Sequence, residues 1–158
     1  MEAVTNSTVL IVLAKINRLD LLKIFKQIIA TKEIYSEVLE GKDIPEVEQS
    51  CLKTLFKTIK IKEPAKILNL DLGVGETSAI SLCLDENKLF ISDDKKARKT
   101  AEILSIKCIG TIGIILENLK QERIKKNEAK EIVKLIISNS YYLTTDLYIK
   151  IIELIEKN

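Results

Sequence analysis

The stretch Leu89-Phe90-Ile91-Ser92-Asp93-Asp94-Lys95-Lys96-Ala97-Arg98 joins a short apolar run to two adjacent acids and then to basic residues. The apolar run predicts a buried strand, and Asp93-Asp94 predicts a helix start, because aspartate is a favourable N-cap. Upstream, Gly73-Val74-Gly75-Glu76-Thr77 places Glu76 at the start of an apolar helix. A helix start and the carboxyl end of a parallel strand can face one crevice, so we expect these acids to lie close together.

Short apolar runs alternate with helical segments along the rest of the chain. The patterns predict strands around Val4 and at residues 28–30, 58–61, 88–92 and 106–109. They predict helices at residues 9–16, 17–25, 32–41, 44–55, 76–84, 93–104, 111–119, 126–138 and 144–156, with Gly41 closing the third helix and residues 68–75 forming a loop. This alternation is typical of an α/β fold with helices on both faces of a central parallel sheet. We expect a single domain over residues 1–158, with the C-terminal helices (about 126–156) packed on it.

The composition excludes several classes of site. The chain has no His, which removes Ser-His-Asp and Cys-His catalysis and zinc sites that use His. A general base must therefore be a carboxylate, a lysine or a hydroxide activated by a metal. The 25 basic and 23 acidic residues nearly cancel, which is not the pattern of a strong DNA binder. With 4% aromatic residues and no Trp, a stacking platform for bases is not expected.

The cysteines and the apolar runs bear on location. Cys51, Cys83 and Cys108 are far apart and each lies among apolar residues, so we predict reduced core cysteines. The apolar run 9–14 is too short to span a membrane, and no basic region of a signal peptide precedes it. We expect a cytoplasmic protein without membrane contact.

Each polar residue near the predicted sheet edge has a structural and a functional interpretation. Glu37 is either an ordinary solvated residue or lies beside the apolar face of its helix. Glu76 either stabilises a helix dipole or binds a ligand, and Asp93-Asp94 is either a cap or an acidic site. The run Asn6-Ser7-Thr8 either caps a helix or holds an acidic neighbour or a water molecule at a metal. The basic residues after Asp94 either solvate a helix or contact phosphates.

Taken in order, these residues resemble a PIN domain. This is the fold of small metal-dependent ribonucleases that includes the VapC-type toxins of toxin–antitoxin pairs, and the resemblance is to an uncharacterised PIN-like branch. The segments that carry the resemblance are Val4-Thr5-Asn6-Ser7-Thr8-Val9-Leu10-Ile11, Ala14-Lys15-Ile16, Leu19-Asp20-Leu21-Leu22, Glu37-Val38-Leu39-Glu40-Gly41, Gly73-Val74-Gly75-Glu76-Thr77-Ser78-Ala79-Ile80, Ile91-Ser92-Asp93-Asp94-Lys95-Lys96-Ala97-Arg98 and Gly110-Thr111-Ile112-Gly113-Ile114-Ile115-Leu116.

The resemblance implies a three-layer α/β/α fold and a site for one or two Mg²⁺ or Mn²⁺ ions. It places Asn6 at the first acid of the family, Glu37 at the second and Glu76 at the third. The fourth falls on Asp93 or Asp94, and the spacing of Ser92-Asp93-Asp94 favours Asp94. The implied metal residues are Asn6, Glu37, Glu76, Asp93 and Asp94, the catalytic residues are Glu37, Glu76 and Asp94, and the RNA contacts are Ser7, Thr8, Lys95, Lys96 and Arg98.

Asn6 is the departure from the family pattern, because an amide brings an oxygen but no charge to a hard cation. Metal binding should therefore be weakened. Two function hypotheses follow: an endoribonuclease of single-stranded RNA, as in a toxin held by an antitoxin, or a PIN-like binding module with little or no catalysis. A third hypothesis is a scaffold that acts through protein contacts, since the C-terminal helices are apolar on one side. The resemblance also implies a homodimer.

Overall fold

A parallel sheet forms the centre of the computed structural model, which describes residues 1–40, 44–139 and 141–158. Its strands are β1 (Glu2–Thr5), β2 (Gln27–Ala30), β3 (Lys60–Ile61), β4 (Leu89–Ile91) and β5 (Cys108–Ile109). The spatial order is β3-β2-β1-β4-β5, and every neighbouring pair is parallel. The predicted central parallel sheet is confirmed.

Helices connect successive strands and cover the sheet. They are α1 (Ser7–Lys15), a 3₁₀ segment (Leu19–Ile24), α2 (Lys32–Glu40), α3 (Glu46–Phe56), α4 (Val74–Glu86), α5 (Lys95–Ile103), α6 (Thr111–Lys120), α7 (Lys126–Ser138) and α8 (Thr145–Lys157). Helix α4 packs on β1 and β4 and contacts α5, whereas α1 contacts α3 and α6. This arrangement is the α/β/α class that was predicted.

Several predicted elements differ from the observed ones in type or in bounds. The helix expected at residues 17–25 is a short 3₁₀ segment, because Asn17 has a φ of 54° and bends the chain after α1. The strand expected at 58–61 shortens to Lys60–Ile61. The loop expected at 68–75 ends earlier, since α4 begins at Val74 and so contains Gly75. Gly41, the predicted end of α2, lies outside the described residues.

The core lies between the sheet and its helices. Val4, Phe90 and Ile91 on the two central strands are fully buried. In the C-terminal helices the buried residues are Ile132, Ile136, Ile151 and Ile155, and α7 and α8 both contact α6. Each such side chain contributes about 1.5–3 kcal/mol to folding through burial. The apolar side of these helices is therefore mostly core, although some of its leucines stay exposed.

The three cysteines are free, but they differ in burial. Cys83 is fully buried in the core, Cys108 is half-buried and packs against the core, and Cys51 is half-buried. The expected core position is therefore complete for Cys83 alone of the three. Burial raises the pKa of the Cys83 thiol and, to a smaller extent, that of Cys108. Within residues 1–40, 44–139 and 141–158, no helix has the length and apolar character that a membrane crossing needs.

Candidate functional site

The carboxyl ends of β1 and β4 meet at the centre of the sheet. The chain winds outward from β1 in opposite directions through β2 and β4, which makes this a topological switch point, where α/β sheets open a crevice. Asn6 follows β1, and its backbone N–H donates to the Ile91 carbonyl at 2.8 Å. The turn Ser92–Asp94 follows β4 on the same edge. The predicted proximity of these two segments is present.

Asn6 is fully buried and uses both ends of its amide. Its Oδ1 accepts from the Ser7 backbone N–H at 2.7 Å, as an N-cap of α1 does. Its Nδ2 donates to the Ser92 hydroxyl at 3.3 Å. An aspartate at this position would keep the cap but lose the donor to Ser92.

Ser7 connects the start of α1 to Glu37 on α2. The buried Ser7 hydroxyl donates to Glu37 Oε1 at 2.7 Å. Of the alternatives for the Asn6-Ser7-Thr8 run, Ser7 thus holds an acidic neighbour. Thr8 takes a different partner, since its hydroxyl accepts from the Asp93 backbone N–H at 3.3 Å.

Gly75 brings the start of α4 against Glu37. A Cβ at this position would lie 2.7 Å from Glu37 Oε2 and 2.9 Å from Ile34 Cδ1. Only a residue without a side chain leaves space for this carboxylate. From the sequence, Gly75 is expected to be an ordinary turn residue, and its role in leaving space for Glu37 was missed. The signal for this role is a glycine directly before Glu76, at the start of an apolar helix.

Glu76 and Asp94 line one cavity of about 350 Å³ at the mouth of the crevice. Asp71, Leu72, Gly73 and Lys96 complete its lining. Lys96 Nζ donates to Asp71 Oδ2 at 2.8 Å, and this bond lowers the pKa of the Asp71 carboxyl. Sequence reasoning missed Asp71, which lies in an exposed loop and carries no local pattern that marks it.

Asp94 is also the N-cap of α5. Its Oδ1 accepts from the Ala97 backbone N–H at 2.7 Å, and its own N–H donates to the Ser92 hydroxyl at 3.1 Å. In the described ranges its Oδ2 makes no hydrogen bond. One oxygen therefore caps the helix while the other is available to the cavity.

Asp93 has different surroundings from Asp94. Its Oδ1 accepts from the Thr111 backbone N–H at 2.8 Å and from the Tyr141 hydroxyl at 3.0 Å. Its Oδ2 accepts from the Thr111 hydroxyl at 2.5 Å. The two adjacent carboxylates thus have separate roles in the fold, which the sequence alone left open.

The basic residues that follow Asp94 divide between two cavities. Lys96 belongs to the cavity with Glu76, whereas Lys95, Arg98 and Lys99 line a second one of about 600 Å³ on the other side of α5. Arg98 is fixed there, because its Nη1 donates to the Ser92 carbonyl at 2.9 Å. Both cavities include residues of α5, but only the first includes Asp94.

The oxygen atoms at this crevice are of the chemical types that bind a hard divalent cation. Carboxylate and amide oxygens are its usual protein ligands. Gly75 forms a cradle that a side chain would fill, and it leaves Glu37 beside the start of the helix that carries Glu76. Among the described residues, however, no three acidic or cysteine side chains are gathered closely enough to hold an ion. The donors thus fit a divalent cation by their chemistry, although in this arrangement they are not gathered around one point.

The family comparison agrees with the fold. The family model DUF3368, described as a PIN domain, matches residues 2–157. The chain belongs to the PIN-domain family. PIN domains are usually nucleases, generally use divalent metal ions and often bind nucleic acids.

Among solved structures, this PIN domain is similar to a "PilT N-terminus domain protein", SSO1118, from the hyperthermophilic archaeon Sulfolobus solfataricus P2. The TM-score is 0.53 at 19% sequence identity, and the match covers 75% of this chain and 94% of the archaeal one. At this identity the similarity shows the fold. Among curated proteins, none matches this PIN domain.

Proposed function

We propose that this PIN domain is a metal-dependent endoribonuclease that cleaves single-stranded RNA, with Glu37, Glu76 and Asp94 as catalytic residues. The observation that carries the proposal is the shared cavity of Glu76 and Asp94 at the switch point of the sheet. No His is available for acid–base work, and the carboxylates of the crevice are the groups that the proposal assigns to it. The proposed domain comprises residues 1–158, including the C-terminal helices.

The proposed cofactor is Mg²⁺ or Mn²⁺, which when bound stabilises charge on the scissile phosphate and lowers the pKa of water. Glu76 and the free Oδ2 of Asp94 are the donors that line the cavity, and Glu37 reaches the start of α4. Asn6 orders Ser7 and Ser92 but adds no charge, so we expect a weakened site. The proposal assigns the metal to Asp94 rather than Asp93, because Asp93 already accepts three hydrogen bonds.

The proposed RNA path runs over the start of α5. Lys96 lies at the cavity with Glu76 and Asp94, and Lys95 and Arg98 line the neighbouring basic cavity, which also includes Lys99. Cations in two cavities along α5 can hold successive phosphates of one strand. We assign Ser7 to the positioning of Glu37, because its buried hydroxyl faces that carboxylate rather than solvent.

The proposed partners and location rest on the surface and on the cysteines. Leu147, Ile149 and Leu154 on α8 are exposed, which supports a protein contact by this helix, either in a homodimer or with an antitoxin. The free cysteines support a reducing, cytoplasmic location. Sedimentation of the purified protein at several concentrations tests the homodimer.

The test of the proposed function compares the parent with Glu76→Gln. We expect Mn²⁺-stimulated cleavage of single-stranded RNA by the parent, together with calorimetric Mn²⁺ binding, and loss of both in the variant. Glu153→Gln is the matched control, because Glu153 is an exposed residue of α8. Cleavage that persists in Glu76→Gln would show that the reaction occurs elsewhere.

Asn6 favours one alternative, a nucleic-acid-binding module with little or no catalysis. Its buried amide leaves one charge fewer than the family pattern has, and the described acids are not gathered around a common point. This alternative predicts RNA binding without cleavage by the parent, and metal-dependent cleavage that appears in Asn6→Asp. A parent that already cleaves RNA at a high rate would contradict it.

A further inference from the structure

Two of the residues that hold the turn Ser92–Asp94, Thr111 and Tyr141, have no role in the proposed reaction. Asp93 accepts two bonds from Thr111, at the start of α6, and one from Tyr141. Tyr141 lies 48 residues further along the chain, after α7, and its backbone N–H donates to the Ile136 carbonyl at 3.0 Å. The C-terminal region therefore contacts the residue next to Asp94 directly.

The surroundings of Asp93 are closely packed. A Cβ at Gly110 would lie 2.5 Å from Asp93 Oδ1, 2.8 Å from Arg98 Nη1 and 3.2 Å from the Ser92 carbonyl oxygen. Thr111 is fully buried and Tyr141 is half-buried. The pKa of the Tyr141 hydroxyl is raised by burial and by the Asp93 charge, so the hydroxyl stays protonated and can donate. Asp93 therefore has little freedom to turn.

Fixing Asp93 also restricts Asp94. The two residues are adjacent, and Asp94 must keep one oxygen on the Ala97 N–H if the other is to face the cavity. The Ser92 hydroxyl and carbonyl, bound to Asn6 and Arg98, hold the other end of the same turn. Removal of a residue that orients a metal ligand through a hydrogen bond typically lowers metal affinity or activity by about 10–100-fold.

We propose that Thr111 and Tyr141 are positioning residues, which act through Asp93 to orient Asp94 and so couple the C-terminal helices to the site. The expected effect on RNA cleavage rests on the proposed function. The expected effect on the orientation of Asp94 does not. Loss of the Tyr141 hydroxyl removes one of the two hydrogen bonds to Asp93 Oδ1, and loss of the Thr111 hydroxyl frees Asp93 Oδ2. In either case the turn is held less firmly in the geometry that presents Asp94.

The test compares Tyr141→Phe and Thr111→Val with two controls. Tyr142→Phe is the matched control for Tyr141→Phe, since Tyr142 is 77% exposed. Thr111→Ser is the control for Thr111→Val, because serine keeps a hydroxyl at position 111. Amide hydrogen exchange is measured at Ala97 and at Val4 in the metal-free protein. We expect exchange at Ala97 to accelerate about tenfold or more in Tyr141→Phe and Thr111→Val, with Val4 unchanged and both controls like the parent.

Mn²⁺ affinity and RNA cleavage are measured on the same proteins. We expect an about tenfold weaker Mn²⁺ affinity and an about tenfold lower kcat, with KM for RNA unchanged. If the parent cleaves no RNA, the proposed function fails, while the exchange at Ala97 still decides whether Asp94 is positioned through Asp93. Unchanged exchange at Ala97 in both variants would overturn the inference, as would a general loss of protection that includes Val4.

Discussion

The Asn6 side-chain amide donates to the Ser92 hydroxyl at 3.3 Å and thereby joins the ends of β1 and β4, 86 residues apart. Asn6 is fully buried, and its Oδ1 is occupied by the Ser7 N–H. The residue that departs from the family pattern is thus well accommodated by the fold. It replaces a charge with a hydrogen-bond donor at the point where Glu37 and Asp94 approach from two sides.

Asn6→Asp should lower the stability of the metal-free protein and raise its affinity for metal. The variant loses the donor to Ser92 and buries a charge, which should lower the free energy of unfolding by about 1–3 kcal/mol without metal. Added Mn²⁺ should restore the loss, because the new carboxylate is a cation ligand. Urea unfolding with and without Mn²⁺ measures this effect. Asn69→Asp, in an exposed loop, is the control. Its free energy of unfolding should match that of the parent, with and without Mn²⁺.

Gly75→Ala should weaken metal binding with little change in stability. Alanine favours the helix by about 1 kcal/mol, while the contact of its Cβ with Glu37 and Ile34 costs about 1–3 kcal/mol. The net loss should therefore stay below about 2 kcal/mol, with the Glu37 carboxylate displaced from Ser7. Calorimetric Mn²⁺ titration and thermal unfolding measure the two quantities.

Gly113→Ala is the control for this substitution. Gly113 is also in a helix, and a Cβ there would lie 2.7 Å from Ile109 Cγ1, away from the acids. Its stability change should be comparable and its Mn²⁺ affinity unchanged. Equal Mn²⁺ affinities for Gly75→Ala and the parent would contradict the role given to Gly75.

Lys99→Gln should weaken RNA binding through the basic cavity beside α5. Lys99 lies there with Lys95 and Arg98, and each lysine that meets a phosphate releases counterions. The slope of log K against log salt should fall by about 0.7 for a single strand. Binding is measured in the Glu76→Gln background, where the RNA stays intact. An unchanged slope would exclude Lys99 from the RNA path. Lys120→Gln, at the end of α6, is the control, because it removes the same charge away from this cavity.

Cys83 should make stability depend on alkaline pH. Burial raises the pKa of its thiol, so the folded state retains a proton that the unfolded state loses above about pH 8.5. The contribution is complete below that pH and declines as pH rises towards the raised value. Between about pH 8.5 and about pH 10 the parent should lose about 2 kcal/mol more than Cys83→Ala. Urea unfolding at both pH values checks this, and equal losses would contradict it.

The fold was largely predictable because it follows from local patterns. β-branched runs such as the one around Ile29 alternate with amphipathic segments, and parallel pairing follows from that alternation. The ends of elements were less predictable. Asn17 turns the chain with a positive φ and Val74 begins α4 early, whereas the pattern of apolar residues locates the ends of helices only approximately.

The residues proposed for the site could be named from the sequence, whereas their arrangement could not. The order of Asn6, Glu37, Glu76 and the aspartate pair identified the family. The sequence could not assign different surroundings to Asp93 and Asp94, because the partner Tyr141 lies 48 residues away. Gly75 was missed for a similar reason, since its importance is the space that it leaves for a carboxylate of another helix.

The connection between β3 and α4 divides the chain into two halves that each hold part of the acidic crevice. Residues 1–61 carry Asn6 and Glu37, and residues 74–158 carry Glu76 and Asp94. The halves meet through the pairing of β1 with β4 and the contact of α2 with α4. The protein is therefore organised as a split reporter would be: neither fragment alone can build the crevice, and recovery of the crevice would report that the two fragments have reassociated.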